Sequence, residues 1–310
     1  MSARYRPVQW TRSKVAYDLC LGGGVALYLL LYLRWAPGLV ESTLIGGAEL
    51  RMRAFGTCAF WMLTLILCIG PLARLDRRFL PILYNRRHFG VLTFFVAVAH
   101  LYAVLGWYTA FSPIDPWVAL LGSNTDLSFL GFPFEWLGLA ALVVLFAMAA
   151  TSHDFWLAFL TPPVWKRLHM LVYAAYGLVI MHVTLGVLQA ETNLAYAAMT
   201  GISLAAVAGL HVVAGWVEAR RDAVPESDMA GWVQVARIDE LEDGIGRTVT
   251  LPDGERAAVF RHGNKISALS NACALQNGPL GEGRILDGCV TCPWHGFQYD
   301  PETGCAPAPF

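Results

Sequence analysis

The sequence predicts an all-α membrane bundle of six transmembrane helices followed by a small all-β domain. Three observations carry this. First, the chain has 310 residues, of which 56% are hydrophobic and only 15% charged, against roughly 25% charged in soluble domains. Second, six apolar stretches are each long enough to cross a bilayer as a helix, which takes about 20 residues. Third, the composition changes after residue 220. A polar linker, 221–230, leads into short alternating runs broken by Asp-Gly and Gly-Asn pairs. The division is therefore 1–220 for the membrane domain, 221–230 for the linker and 231–310 for the β domain.

The six spans run near 15–35, 54–75, 88–111, 134–155, 164–189 and 194–217. The first is the least regular, with Asp18 inside its edge and Gly22-Gly23-Gly24 early on. That triplet follows no strand and leads to no Gly-Lys-Ser/Thr ending, so it reads as close helix packing rather than a phosphate loop. Basic residues in short loops set orientation. Arg4, Arg6, Arg12, Lys14, Arg74, Arg77, Arg78, Arg86, Arg87, Lys166, Arg167, Arg220 and Arg221 fall on one side, against Arg34, Arg51 and Arg53 on the other. This asymmetry puts both termini in the cytoplasm and makes the third and fifth spans parallel.

A net charge of -1 gives no sign of a nucleic-acid partner. The basic N-terminus leads into a full span without a cleavage pattern, so no cleavable signal peptide is expected. Seven cysteines divide into Cys20, Cys58 and Cys68 in apolar spans and Cys273, Cys289, Cys292 and Cys305 in the tail. An odd count at these spacings suits metal chemistry better than a disulfide framework.

Histidines are the chemistry of the bundle. The fifth span, V-W-K-R-L-H-M-L-V-Y-A-A-Y-G-L-V-I-M-H-V-T-L-G, carries His169 at its inner end and His182 deeper in. They are thirteen positions apart, about 19.5 Å along a helix axis. The third span carries His88 at its inner edge and His100 twelve residues deeper. An ionisable residue within a span is costly and marks function; the plain alternative is interhelical hydrogen bonding. Neutral imidazole is a common axial ligand of haem iron. Pairing His88 with His169 and His100 with His182 gives two haems at two depths. These spacings set the two histidines of each helix about 120° to 140° apart in azimuth, which helix tilt must absorb. No Cys-x-x-Cys-His attachment motif is present, so the haems are expected to be b-type.

The runs R-R-H-F-G…A-H-L-Y and W-K-R-L-H-M-L-V-Y…M-H-V-T-L-G resemble the ferric reductase-like transmembrane domain over roughly residues 50–220. That family includes the membrane parts of NADPH oxidases and of bacterial methionine-sulfoxide-reducing systems. The resemblance implies electron transfer through b-type haems to an acceptor across the membrane. His100, His169 and His182 fall on its motif positions, and His88 lies close to the usual inner-ligand position. His153, beside Asp154, reads as a capped or hydrogen-bonded residue, and His211 as a packing or proton-handling one. The outer loop, 112–133, contains Asp115, Trp117, Asp126 and Phe129. It is expected either to shape an acceptor site or to form an interfacial aromatic belt.

In the tail, Asp243-Gly244, Asp253-Gly254 and Gly263-Asn264 are turn signals between short strands. Two loops, N-A-C-A-L-Q-N-G-P-L-G-E-G and C-P-W-H-G-F-Q-Y-D-P-E-T-G, resemble those of a Rieske [2Fe–2S] domain. In that family two cysteines bind one iron and two histidines the other. Cys273, Cys292 and His295 match the pattern, and sixteen residues separate position 275 from Cys292, as in the family. Leu275 stands where the second histidine belongs. Cys289 is a candidate substitute ligand, although strand alternation would turn it away from Cys292. Two readings stay open: a cluster with an altered fourth ligand, or a docking module without one.

There is no G-x-G-x-x-G after a strand, so a separate cytoplasmic electron donor is expected. The reading is of an integral membrane protein, of a bacterial inner membrane, in contact with lipid. Its Rieske-like centre would take electrons from that donor, and b-type haems would carry them to an outer-face acceptor. The alternative is a non-catalytic haem-binding subunit of a larger complex.

Overall fold

The computed structural model describes residues 12–39, 46–79, 82–83, 85–122, 133–152, 156, 160, 162–190, 194–222, 233–274, 278–293 and 296–307. Its principal helices are α1 (Arg12–Leu39), α2 (Gly47–Leu75), α3 (Arg86–Phe111), α4 (Glu135–Ala150), α5 (Pro162–Leu185) and α6 (Leu194–Asp222). Five of them are long and apolar enough to cross a membrane. α4, at 16 residues, is about 24 Å long at 1.5 Å per residue, shorter than a hydrocarbon core of about 30 Å. The six expected spans are thus five full-length helices and one shorter apolar one.

α2 is the centre of the bundle. Ala54, Thr57, Cys58, Met62, Leu63, Leu67 and Cys68 along it are all buried. Its neighbours are α3, α6 and α1. One apolar cluster joins Cys58, Met62 and Ile69 of α2 to Phe89 and Val96 of α3. A second joins Leu63 and Leu67 to Leu145, Ala175, Tyr176 and Val207 of α4, α5 and α6. α1 is peripheral, and nothing in its apolar window is buried. A Cβ at Gly22, Gly23 or Gly24 would meet no atom within 4 Å. The expectation that this triplet serves close packing is therefore corrected: α1 turns that face away from its neighbours.

Among the described residues, the β domain forms two antiparallel three-stranded sheets. One is β1 (Gly246–Thr250), β2 (Arg256–His262) and β3 (Lys265–Ser270); the other is β4 (Arg284–Leu286), β5 (Cys289–Thr291) and β6 (Gln298–Tyr299). The turn glycines read from the sequence take the left-handed backbone: Gly244 at φ 72°, Gly254 at 83° and Gly263 at 58°. Only glycine enters that region without a Cβ penalty. The sheets meet at glycines. Gly246 donates its amide to Gly283 O, and Ile285 donates to Gly244 O. Between them lies a core of Ala258, Phe260, Leu280, Val290 and Tyr299, which also encloses Cys273 and Cys292.

Candidate redox sites

Deep in the bundle, the rings of His100 (α3) and His182 (α5) have centroids 6.5 Å apart and planes inclined at 78°. His100 Nδ1 lies 3.0 Å from Met52 O, and His182 Nδ1 lies 2.8 Å from Phe134 O. A carbonyl only accepts, so each Nδ1 bears the hydrogen. Each Nε2 is then the unprotonated nitrogen, the form that binds a metal. Metal–imidazole bonds of about 2 Å, with about 1 Å from each nitrogen to its ring centre, would separate two such centres by about 6 Å. The observed pair fits an iron held between two imidazoles.

The surroundings are cut to the rings. A Cβ at Gly56 would lie 2.9 Å from His100 Cε1, and one at Gly138 would lie 3.0 Å from His182 Cε1. Gly186 makes room for the Phe134 ring, which a Cβ would meet at 2.8 Å. Phe134 thus supplies His182 with both a carbonyl and a ring contact, 5.3 Å between centroids. Next to it, buried Glu135 accepts a hydrogen bond from Tyr108 Oη at 3.2 Å.

At the inner level the two histidines have different settings. His169 stacks on Trp165, centroids 3.7 Å apart, and donates Nδ1–H to Trp165 O at 3.0 Å. Its Nε2 is buried without a hydrogen-bond partner among the described residues. Such an orphaned buried nitrogen is expensive in a bundle interior and suits a metal ligand. His88 places Nδ1 2.9 Å from both carboxylate oxygens of Asp18. The azimuthal offset seen in the sequence has a structural outcome on α3: His88 turns to α1, His100 to α2.

Of the remaining histidines, His211 donates Nδ1–H to Val207 O at 2.8 Å, and its Nε2 accepts from Tyr173 Oη at 2.9 Å. Both its nitrogens are engaged. His153 lies outside the described residues. In the outer loop, Asp115 caps the short helix Pro116–Leu121 by accepting from Trp117 N and Val118 N. Asp126 and Phe129 lie outside the described residues.

In the β domain, Cys273 and Cys292 are fully buried in one cluster. Each sits at the start of a tight loop. Cys273 N donates to Gly278 O, Cys292 N to Phe297 O, and Gly296 N to Cys292 O. Tyr299 Oη lies 3.0 Å from Cys273 Sγ and accepts the Ala274 amide at 2.8 Å. Either atom can donate across the contact with the sulfur. Burial and this sulfur contact push the Tyr299 phenol up, so it stays protonated. The two cysteines, expected to ligate one iron, lie in the same buried cluster. Leu275 and His295 lie outside the described residues. Cys289, the candidate substitute, is half-buried at the far end of β5. Burial, then the carboxylates of Asp300 and Asp287, push its thiol up. Among the described residues no three metal-ligating side chains come together, so Cys289 is not gathered with Cys273 and Cys292.

Sequence reasoning missed what holds the imidazoles. Met52 O and Phe134 O are backbone groups and leave no mark in residue type. Gly56 and Gly138 were visible only as glycines in apolar runs. Asp18 did carry a signal, a lone carboxylate in an apolar span.

Comparison with known proteins bears on both parts. Residues 55–180 match the model of the ferric reductase like transmembrane component, and 231–310 that of the Rieske [2Fe-2S] domain. The protein-methionine-sulfoxide reductase heme-binding subunit MsrQ of Bordetella pertussis is 32% identical over 156 residues, covering 50% of this chain and 70% of that protein. The anthranilate 1,2-dioxygenase ferredoxin subunit of Burkholderia cepacia is 38% identical over 87 residues, 26% of this chain and 78% of that protein. Cholesterol 7-desaturase nvd 1 of Ciona intestinalis is 34% identical over 103 residues, and the chain spans only 22% of its length. With its histidine-bearing bundle and its paired-cysteine β domain, the chain belongs to the ferric reductase-like transmembrane family, as an MsrQ-like haem-binding membrane protein carrying a C-terminal Rieske domain.

Proposed function

We propose that this protein carries electrons outward across a bacterial inner membrane, from a separate cytoplasmic donor to an acceptor at the outer face. The observation that carries the reading is the His100–His182 pair, with ring centres 6.5 Å apart and both Nδ1 atoms committed to carbonyls. These two residues would hold a haem b at the outer level. His169 and His88 would hold a second at the inner level. A haem iron supplies one-electron exchange without proton chemistry of its own. What the protein contributes is axial ligation, ring orientation and a dry setting. Both termini are cytoplasmic on this reading, supported by the basic residues gathered on one side of the bundle. The Rieske-like domain then faces the donor.

Leu275 favours a second reading of the tail, in which the domain serves as a docking module for a partner and holds no cluster. Two measurements on the purified chain test both. A redox difference spectrum should show b-type absorbance that drops in His100→Ala and in His182→Ala. A stopped-flow trace with a chemical reductant should then show whether the tail is reduced before the haems. Full b-type absorbance in both alanine variants would overturn the haem assignment.

A further inference from the structure

Among the described residues, Glu135 is the one acid of the bundle that is buried, at 7% exposed. It is the first residue of α4. Oε1 accepts a hydrogen bond from Tyr108 Oη of α3 at 3.2 Å. Oε2 is shut off from solvent and has no hydrogen-bond partner among the described residues. A lone carboxylate oxygen in an apolar interior is costly. The start of a helix favours negative charge, which accounts for an acid at this position but leaves Oε2 unpaired. Glu135 also stands beside the His100–His182 pair. Phe134, the preceding residue, accepts the His182 Nδ1 hydrogen at 2.8 Å and lays its ring against His182. Gly138, three positions on and so on the same side of α4, faces the His182 ring. The carboxylate is thus about 4.5 Å further along the helix axis, toward the outer end.

The helices packed on α4 are α3, α5 and the short helix Pro116–Leu121. At this end they bring Tyr108, His100, His182 and Asp115. Both imidazoles are tied at Nδ1 to carbonyls, and Asp115 is tied to the amides of Trp117 and Val118. These helices carry their lysines and arginines at the opposite end. Arg53, at the outer end of α2, pairs with Glu49. Iron between the imidazoles carries one more positive charge when oxidised than when reduced. Positive charge nearby favours an ionised carboxylate, and its loss favours the protonated acid. The low dielectric of the interior strengthens this coupling, and the coupling is reciprocal.

We propose that Glu135 takes up a proton at Oε2 when the His100–His182 site is reduced, so that the outer end of the bundle delivers an electron together with a proton. This rests on the reading of that pair as haem ligands. One electron arrives from the inner side and one proton from the outer aqueous phase. Tyr108 occupies Oε1, which leaves Oε2 as the oxygen that is protonated. On reoxidation the acceptor takes both. The reaction served is then one whose product carries added protons, and a two-electron reduction draws two electrons and two protons in two cycles. An acceptor that takes electrons alone has no use for this residue.

The test uses the full-length protein. It follows, at several pH values, the potentiometric wave that disappears in His100→Ala, beside reduced-minus-oxidised infrared spectra. In the unmodified protein that wave should move to lower potential as pH rises, and reduction should bring up the carbonyl band of a protonated carboxyl group. Glu135→Gln should keep the haem, flatten the pH response and remove the band. Glu135→Asp should keep a response and displace the band. Tyr108→Phe removes a hydrogen bond that favours the ionised form, so its response should move to higher pH without disappearing. A flat response or a missing band in the unmodified protein would overturn the proposal, as would an unchanged response in Glu135→Gln. If Glu135→Gln loses haem, Glu135→Asp decides: an undisplaced band belongs to another carboxyl group and overturns the proposal. Full haem content in both His100→Ala and His182→Ala is a failure of the underlying reading. It is distinct from a flat response in a wave that those variants remove.

Discussion

His100 and His182 come from two different helices, yet each gives its Nδ1 hydrogen to a carbonyl of a third and a fourth. His100 is held by Met52 O of α2, and His182 by Phe134 O at the start of α4. Four segments therefore fix one pair of rings. Removing either imidazole should cost the same haem: His100→Ala and His182→Ala should each lose one b-type haem, with matching spectra. His169→Ala should lose a different one. Pyridine haemochrome content per chain and low-temperature absorbance check this. Full haem content in all three variants would make these histidines packing residues.

The glycines facing those rings make a sharper prediction, because they leave the ligands in place. A Cβ at Gly56 would stand 2.9 Å from His100, and one at Gly138 would stand 3.0 Å from His182. A surface side chain could give way, but an imidazole tied at Nδ1 has little freedom. Gly56→Ala and Gly138→Ala should weaken retention of the outer haem while leaving the His169 haem in place. Overpacking of this kind costs typically about 1–3 kcal/mol, roughly five- to 150-fold in affinity. Haem loss to apomyoglobin gives the rates.

Orientation is tested separately. A reporter fused after Phe310 should behave as cytoplasmic, given the basic residues on one side of the bundle. A periplasmic signal would remove a span from the count. α4, with its 16 residues, would be the helix to doubt first, and the donor would then have to reach the tail from the other side.

Much of the membrane site was legible, and the reason is physical. Ionisable residues are so costly within a span that four histidines at matched spacings stand out from an apolar background. The helices around them were legible from length alone. What stayed hidden was the set of backbone carbonyls, since Met52 and Phe134 contribute through groups every residue has. Gly22-Gly23-Gly24 misled for a related reason: small residues permit close approach but do not demand it, and α1 leaves them open. The azimuths of His88 and His100 were legible as a conflict with simple stacking. Only the neighbours of α3 show its outcome, with one ring turned to Asp18 and the other to Met52.

The β domain should be least tolerant where its sheets meet. A Cβ on Gly246 would lie 2.7 Å from Gly281 O and from the Phe260 ring. Asn271, buried, accepts the Gly281 amide through Oδ1 at 2.7 Å. Gly246→Ala should destabilise the domain by about 1–3 kcal/mol through overpacking. Asn271→Ala should cost a similar amount, about 1–3 kcal/mol, by orphaning a buried amide. Neither should change b-type absorbance, because the bundle has its own core. Limited proteolysis beside haem content separates the two effects.

The tail's metal content decides its role. Cys273 and Cys292 are enclosed together, and Tyr299 Oη lies 3.0 Å from the Cys273 sulfur. These are the two residues that a Rieske site would use as its cysteine ligands. The other half needs two imidazoles, and the first loop offers Leu275 in place of one. An apolar side chain leaves that iron short of a ligand, so the unmodified chain should contain fewer than two irons and two sulfides in its tail after anaerobic purification. Leu275→His should raise both, with the paramagnetic resonance signal of a His₂-ligated cluster. Cys289→Ser should leave iron unchanged, since Cys289 lies by Asp287 and Asp300 and is not gathered with the other two cysteines. If the unmodified chain holds two irons and two sulfides and Cys289→Ser abolishes them, the sulfur on β5 is the missing ligand. If it holds neither, the haems are its only redox centres and the tail is a docking surface.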